Sequence, residues 1–294
     1  MRGVTGTAPL PEEGIALRPV VVVDGEDHAN LLYAAVRDGG HTPPGERTGW
    51  GLRAVRRDAA GARSSRHDFA FPGPGHWAHA GPPGRPSACQ APGGDGLCLG
   101  TTQADPGAPL WPAVSCDGTP ADHLLLVAYR HEDVLDVAGA HLRVRRLLVV
   151  ADLDGVELIR AHGTGADLRG LRLGEPGRTG LGPALMRGAT WDEAEAARQA
   201  GIALAHYAYA RCLAAHQEIL DAHAAGIVAW QYADARAAGA GHEQILDARA
   251  AGLPMRPYVA ARRHGLTHIQ ALVLHASRID IIQYVTALTT PAAT

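Results

Sequence analysis

The chain has 294 residues, 46% of them hydrophobic, with a formal charge of −3 and a pI near 6.6. That length supplies about two domains and a sizeable core, while the near-neutral balance gives neither nucleic acid nor an acidic membrane surface an electrostatic footprint. No lysine occurs, so all 27 basic side chains are arginine, which excludes a Walker phosphate loop, the ATP-pairing lysine of a kinase and a pyridoxal Schiff base.

In chain order, residues 1–18 carry Gly, Pro and paired glutamates without periodicity and form a loose tail. Val20–Val23, bounded by Pro19 and Asp24, predicts a buried strand, and Ala29–Arg37 a helix. Between Gly39 and Pro120 the composition shifts to Gly, Pro, Arg and Ala. With few aliphatic clusters to offset chain entropy, long loops are expected there, with one short strand at 96–102. Leu124–Tyr129 and Leu142–Val150 predict strands, His131–Val137 a helical turn or two, and Gly155–His162 a short helix. Residues 19–170 thus form a loop-rich α/β module of unknown function. Gly and Pro residues make 171–189 a linker, 190–288 holds four helical-hairpin repeats, and 289–294 is a tail. The fold class is α+β, a small mixed module followed by an all-α tandem array.

The array is the strongest signal. His216, His242 and His268 recur every 26 residues, as do Tyr232, Tyr258 and Tyr284, and Gly226 and Gly252 keep one offset. Trp191, Gly201, Tyr207 and Arg211 belong to an earlier copy spaced by 25. Thr190 with Glu193, and Thr267 with Gln270, fit a capping box, with Gly241 and Gln244 a weaker version. Glycine at 201, 226 and 252 suits the left-handed end of a first helix, where the fourth copy has Arg278. Ile219, Leu220 and Ile227, with their counterparts Ile245, Leu246 and Leu253, make a stripe too narrow to be stable alone, so stacking completes it. The fourth copy, with Leu272, Val273, Leu274, Ile279, Ile281 and Ile282, is greasier than a cap, which suggests docking or self-association.

Two resemblances follow from quotable motifs. Gly94-Asp95-Gly96-Leu97-Cys98-Leu99-Gly100-Thr101-Thr102, then Leu124-Leu125-Leu126-Val127-Ala128-Tyr129, Leu142-Arg143-Val144-Arg145-Arg146 and Gly163-Thr164-Gly165-Ala166-Asp167-Leu168-Arg169-Gly170 resemble an uncharacterised actinobacterial and phage domain that often precedes pentapeptide repeats. The resemblance covers about residues 94–170 and implies no activity. The pentapeptide series decays after one unit into Leu171-Arg172-Leu173, which argues against a pentapeptide coil. The array is similar to short Ala-rich helical repeats of GC-rich genomes.

Candidate site residues are few. Arg130, Arg143 and Arg145, with Arg146 and Arg160 nearby in sequence, are candidate anion ligands, although a solvated strand face is the favoured account of them. His76, His79, Cys89 and Cys98 are zinc-ligand types, but their spacing is poor for a ribbon or finger. The ladder of His216, His242 and His268 reads as packing or surface rather than a metal site. Asp152 and Asp154 read as turn caps, Gly163-Thr164-Gly165 as a turn lacking the dinucleotide fingerprint, and Cys98 as an inert buried thiol. No metal, cofactor or catalytic constellation is expected.

Four cysteines and no charged-then-apolar leader predict a soluble, cytoplasmic protein. The expected function is non-catalytic: a scaffold with a protein partner, or self-association, through residues 190–288. An alternative is an ADP-ribosyltransferase-like, nucleotide-dependent transferase with its site in the middle module. It lacks the expected motif order, because Glu193-Ala-Glu195 falls in a repeat helix. A helix-turn-helix array for DNA ranks third, since residues 190–294 hold 8 Arg against 9 Asp plus Glu.

Overall fold

The computed structural model describes residues 31–41, 47–64, 69–80, 96–101, 119–138, 141–169, 171–175 and 178–289. The expected N-terminal tail, the strand at 19–24, Cys89, Cys116 and residues 290–294 of the expected C-terminal tail lie outside the described residues, while Thr289 ends the last helix. The chain divides into two compact units, Met1–Pro176 and Gly177–Thr294.

The first unit is built on a seven-stranded antiparallel sheet. Its strands are β1 (Thr48–Ala54), β4 (Trp77–His79), β5 (Leu97–Gly100), β6 (His123–Arg130), β7 (Val134–Ala138), β8 (His141–Val144) and β9 (Arg146–Asp154), in the order β4-β9-β6-β1-β5-β8-β7. A separate hairpin joins β2 (Arg56–Asp58) and β3 (Gly61–Arg63). One sheet face buries Leu97, Leu99, Leu125, Val127, Leu142 and Val149, closed over by Val55, Ala62 and Phe71. Alternate residues Leu52, Ala54, Leu124, Leu126 and Ala128 are buried on the other face, the side of helices α1 (Leu31–Asp38) and α2 (Gly155–His162). There Gly155 is required by close approach: an added Cβ would stand 1.8 Å from the carbonyl oxygen of Ala121 and 3.2 Å from Leu124.

Three expectations are corrected. The stretch expected as loops contains β1, the middle strand of the sheet, paired on both sides in the registers Leu52↔Leu126 and Leu52↔Gly100. It escapes pattern reading because both its faces are buried, so nothing alternates, and because its residues are Gly49, Trp50, Gly51, Leu52, Arg53 and Ala54. Gly51 admits the Leu99 side chain where a Cβ would otherwise sit, 2.2 Å from it. The helical turn expected over 131–137 is a single 3-10 turn, His131–Asp133, followed by the β-branched β7. The strand expected over 142–150 is two strands, β8 and β9, split by a bend at Arg145, whose N–H donates to the carbonyl of Asp133 at 2.7 Å.

In the second unit the four hairpins pair α4 (Trp191–Gln199) with α5 (Leu204–Arg211), α6 (His216–Ala224) with α7 (Ala229–Ala237), α8 (His242–Ala250) with α9 (Met255–Arg263), and α10 (His268–Ala276) with α11 (Ile281–Thr289). The segment expected as linker also contains a helix, α3 (Leu181–Met186), which packs on α5 and α4. Second helices stack in sequence, α3 on α5, α5 on α7, α7 on α9 and α9 on α11. The capping box is complete at Thr190/Glu193 and Thr267/Gln270, with both reciprocal bonds between 2.8 and 3.2 Å. In the middle copies Ala215 and Gly241 have no side-chain acceptor, so only the return bonds from Glu218 and Gln244 remain. Gly226 and Gly252 close their helices at φ 75° and 76°, and Arg278 takes φ 61° in the fourth copy.

Candidate functional site

The repeat-defining residues form the joints between hairpins. Tyr207, Tyr232 and Tyr258 are fully buried, and each hydroxyl meets the Nδ1 of the histidine opening the next copy: His216 at 2.8 Å, His242 at 2.9 Å and His268 at 3.1 Å. Ring centroids lie 5.8 Å apart in each pair, edge to face. Burial pushes the tyrosine pKa up, to about 12 for Tyr207, so the phenol stays protonated. The opposite nitrogen of His268 lies 2.9 Å from Asp247 and that of His242 lies 3.8 Å from Asp221. Tyrosine and aspartate from one hairpin therefore grip a histidine from the next. Both ring nitrogens of His242 and His268 are engaged, and stacked helices stand about 8–10 Å apart, so these histidines serve packing.

A second kind of joint runs along the first helices. His223 Nε2 reaches the carbonyl of Ala200 at 2.9 Å, and Arg249 Nε donates to that of Ala225 at 3.1 Å. Each satisfies a free carbonyl at the end of the preceding first helix. Gly226 underlies this contact, since an added Cβ would meet Arg249 at 3.1 Å.

In the sheet unit the candidate anion ligands divide: Arg130 and Arg146 share one ring and one carboxylate, while Arg143 and Arg145 have other surroundings. Arg130 lies over the Trp77 ring at 5.6 Å and pairs with Glu132 at 3.3 Å. Arg146 covers the same ring at 5.1 Å and donates to Asp133 at 2.7 Å. Arg143 is largely buried on β8, 3.6 Å from Asp136, whereas Arg145 is exposed at the bend and Arg160 pairs along α2 with Glu157 at 2.7 Å. The zinc-ligand types are likewise dispersed. His79 lies on edge strand β4 and Cys98 on β5, four strand positions away, about 19 Å at about 4.8 Å per strand. His76 contacts the carbonyl of Pro74. No group of three metal-ligand residues occurs among the described residues.

Asp154 caps α2, accepting from the amides of Val156 and Glu157 at 2.9 and 3.0 Å, and Asp152 pairs with Arg57. Gly163-Thr164-Gly165 closes α2 as a turn, with Gly165 at φ 75°. Cys98 is fully buried and forms no disulfide. Sequence reasoning did not single out Arg53, which is fully buried in β1 and donates to Ser64 Oγ at 3.3 Å.

Among the described residues an accessible groove lies in the array. A groove of about 500 Å³ runs along α7, α9 and α11, lined by Trp230, Asp234, Arg256, Val259, Arg263 and Ile282. Trp230 is 41% exposed. Arg263 reaches Asp234 at 3.4 Å, and the Tyr209 hydroxyl donates to the same carboxylate at 3.3 Å. Among the described residues every exposed large hydrophobic side chain, from Tyr209 to Leu288, belongs to the array. Trp230, Arg256 and Arg263 carried no sequence signal, because they face away from the residues that repeat.

No family model, curated protein or solved structure matches the chain. Among the described residues no helix is long and apolar enough to cross a membrane.

Proposed function

We propose that this chain is a non-catalytic protein-interaction scaffold, and that the groove on the second helices is where a partner docks. The observation carrying this reading is the concentration of exposed large hydrophobics on the array, with an indole, two guanidinium groups and an apolar floor in one groove. Tryptophan and arginine supply most of the energy at protein interfaces, and an exposed apolar patch rimmed by charge marks a docking surface. The chemistry suits an amphipathic partner segment that places apolar side chains against Trp230, Val259 and Ile282 and a carboxylate near Arg256 or Arg263. A nucleotide-dependent transferase in the sheet unit is the second reading, less favoured because Arg130 and Arg143 are each paired with a carboxylate, Glu132 and Asp136.

The test is affinity purification of the tagged full chain from its host, beside Trp230→Ala and Arg263→Glu. A stoichiometric protein recovered with the natural chain and reduced at least tenfold by either substitution supports the proposal. A partnerless preparation, or equal recovery by the variants, contradicts it.

A further inference from the structure

The two ends of the array are finished differently, and the difference shows what the open end accepts. At the start, the position held by His216, His242 and His268 is taken by Trp191, which is buried and covered by the Arg178 guanidinium 5.1 Å from its ring centroid. Helix α3 occupies the place of a preceding second helix: Arg211 donates to the carbonyl of Gly188 there, as Arg262 does to that of Gly239. The starting face is closed.

At the other end, the second and third hairpins each offer their successor a tyrosine and an aspartate, Tyr232 with Asp221 and Tyr258 with Asp247, and carry an arginine near the tyrosine, Arg236 or Arg262; the first hairpin has Ala196 at the aspartate position. The fourth copy keeps the tyrosine and discards the charges. Val273 stands where Asp221 and Asp247 receive the next histidine, Leu288 where Arg236 and Arg262 stand, and Ile269 where Gln217 and Glu243 stand. Tyr284 is 40% exposed although Tyr232 and Tyr258 are fully buried, and Ile269 is 64% exposed. These side chains, with Leu274, enclose a shallow cavity of about 380 Å³.

The geometry points to a second copy of this chain as the occupant, its fourth hairpin against the fourth hairpin of the first. Three observations select that arrangement. The face continues the hairpin-on-hairpin interface already present three times in the chain, so a hairpin of this shape fits it. With the starting face closed by α3 and Trp191, a head-to-tail chain of copies has nowhere to attach. Finally, a two-fold contact is self-complementary, the same patch facing itself, and replacing Asp and Arg by Val and Leu removes two charged groups that such a contact would otherwise desolvate.

The interface is small. Two nine-residue helices side by side, each about 13.5 Å long and about 10 Å wide, present roughly 270 Å² in plane. Two such faces bury less than the roughly 1,200 Å² of a stable complex, so the dimer is reversible, with a Kd of about 10–100 µM.

Sedimentation equilibrium of the full chain from about 1 to 300 µM, spanning that Kd, is the test. The natural chain gives a monomer–dimer equilibrium that stops at two. Val273→Asp combined with Leu288→Arg restores the inner-copy residues, so the hairpin keeps its helical circular dichroism while dimerisation weakens at least tenfold. A monomer throughout the range, growth beyond the dimer, or an unchanged constant in the double variant overturns the assignment. Trp230→Ala separates this contact from the partner groove: it leaves the dimer constant unchanged, and a weakened dimer in that variant would move the contact to the groove and overturn the end-face assignment.

Discussion

The sheet unit and the helical array solve the burial problem with opposite kinds of contact. In the sheet, Leu52 of β1 pairs with Leu126, and Cys98 of β5 pairs with Arg143 of β8. Apart from the local β7–β8 and β2–β3 pairs, the strands depend on partners far along the sequence. In the array, Tyr232 finds His242 ten residues on, and His268 finds Asp247 in the hairpin before it. Short-range joints repeated three times make a structure whose stability adds up hairpin by hairpin, whereas a sheet with its first and last strands thus interlocked unfolds as one unit.

Four substitutions sharpen that contrast, from the largest effect to the smallest. Tyr232→Ala empties a fully buried ring site and breaks one joint. It should cost the array about 4 kcal/mol, with amide exchange accelerated in α6 to α9 and the sheet unit unaffected. Gly155→Ala drives a methyl group into the backbone of Ala121. It should cost the sheet unit about 3 kcal/mol, read as faster exchange throughout β6, β1 and β9 together rather than at one end. Exchange confined to α2 would show the sheet to be less cooperative than described. Tyr258→Phe removes only the hydroxyl bond to His268 and should lower array stability by about 1 kcal/mol in denaturant titration. Equal stability would mean that the ring, and not the bond, makes the joint.

The smallest effect concerns acid. Hydrogen bonds from Arg198 hold the Glu195 carboxyl near pKa 2 instead of the ordinary 4.5. A depressed carboxylate contributes stability above about pH 4.5 and loses it as pH falls toward 2. Arg198→Ala should return Glu195 toward its ordinary value, seen by titrating its side-chain carbon resonance, and flatten that acid limb by lowering stability at neutral pH slightly while leaving it unchanged near pH 2, the loss being small because the pair is solvent-exposed.

The same contrast governs how far the sequence could be read. The array was legible because its joints are local: the recurring His, Tyr and Gly positions are the residues that meet, and their spacing is the height of one hairpin. What that pattern concealed was whatever does not repeat, namely α3 in the expected linker and the groove residues Trp230, Arg256 and Arg263. In the sheet, aliphatic strands such as β6 declared themselves, but β1 did not. A central strand buried on both faces shows no alternation, and Gly51 and Arg53 resemble loop residues until Leu99 and Ser64 are brought beside them. Valines in β7 gave a real strand signal that a short helical reading of 131–137 overrode. The candidate arginines Arg130, Arg143 and Arg145 were close in sequence only. Antiparallel pairing and the bend at Arg145 send them to different environments.

The central claim, that the array and not the sheet meets the partner, is tested most directly by amide hydrogen exchange of the full chain with and without its copurified protein. Protection confined to α7, α9 and α11, centred on Trp230 and Arg263, is the predicted result. Protection of β7, β8 or β9 with the array unchanged would contradict it.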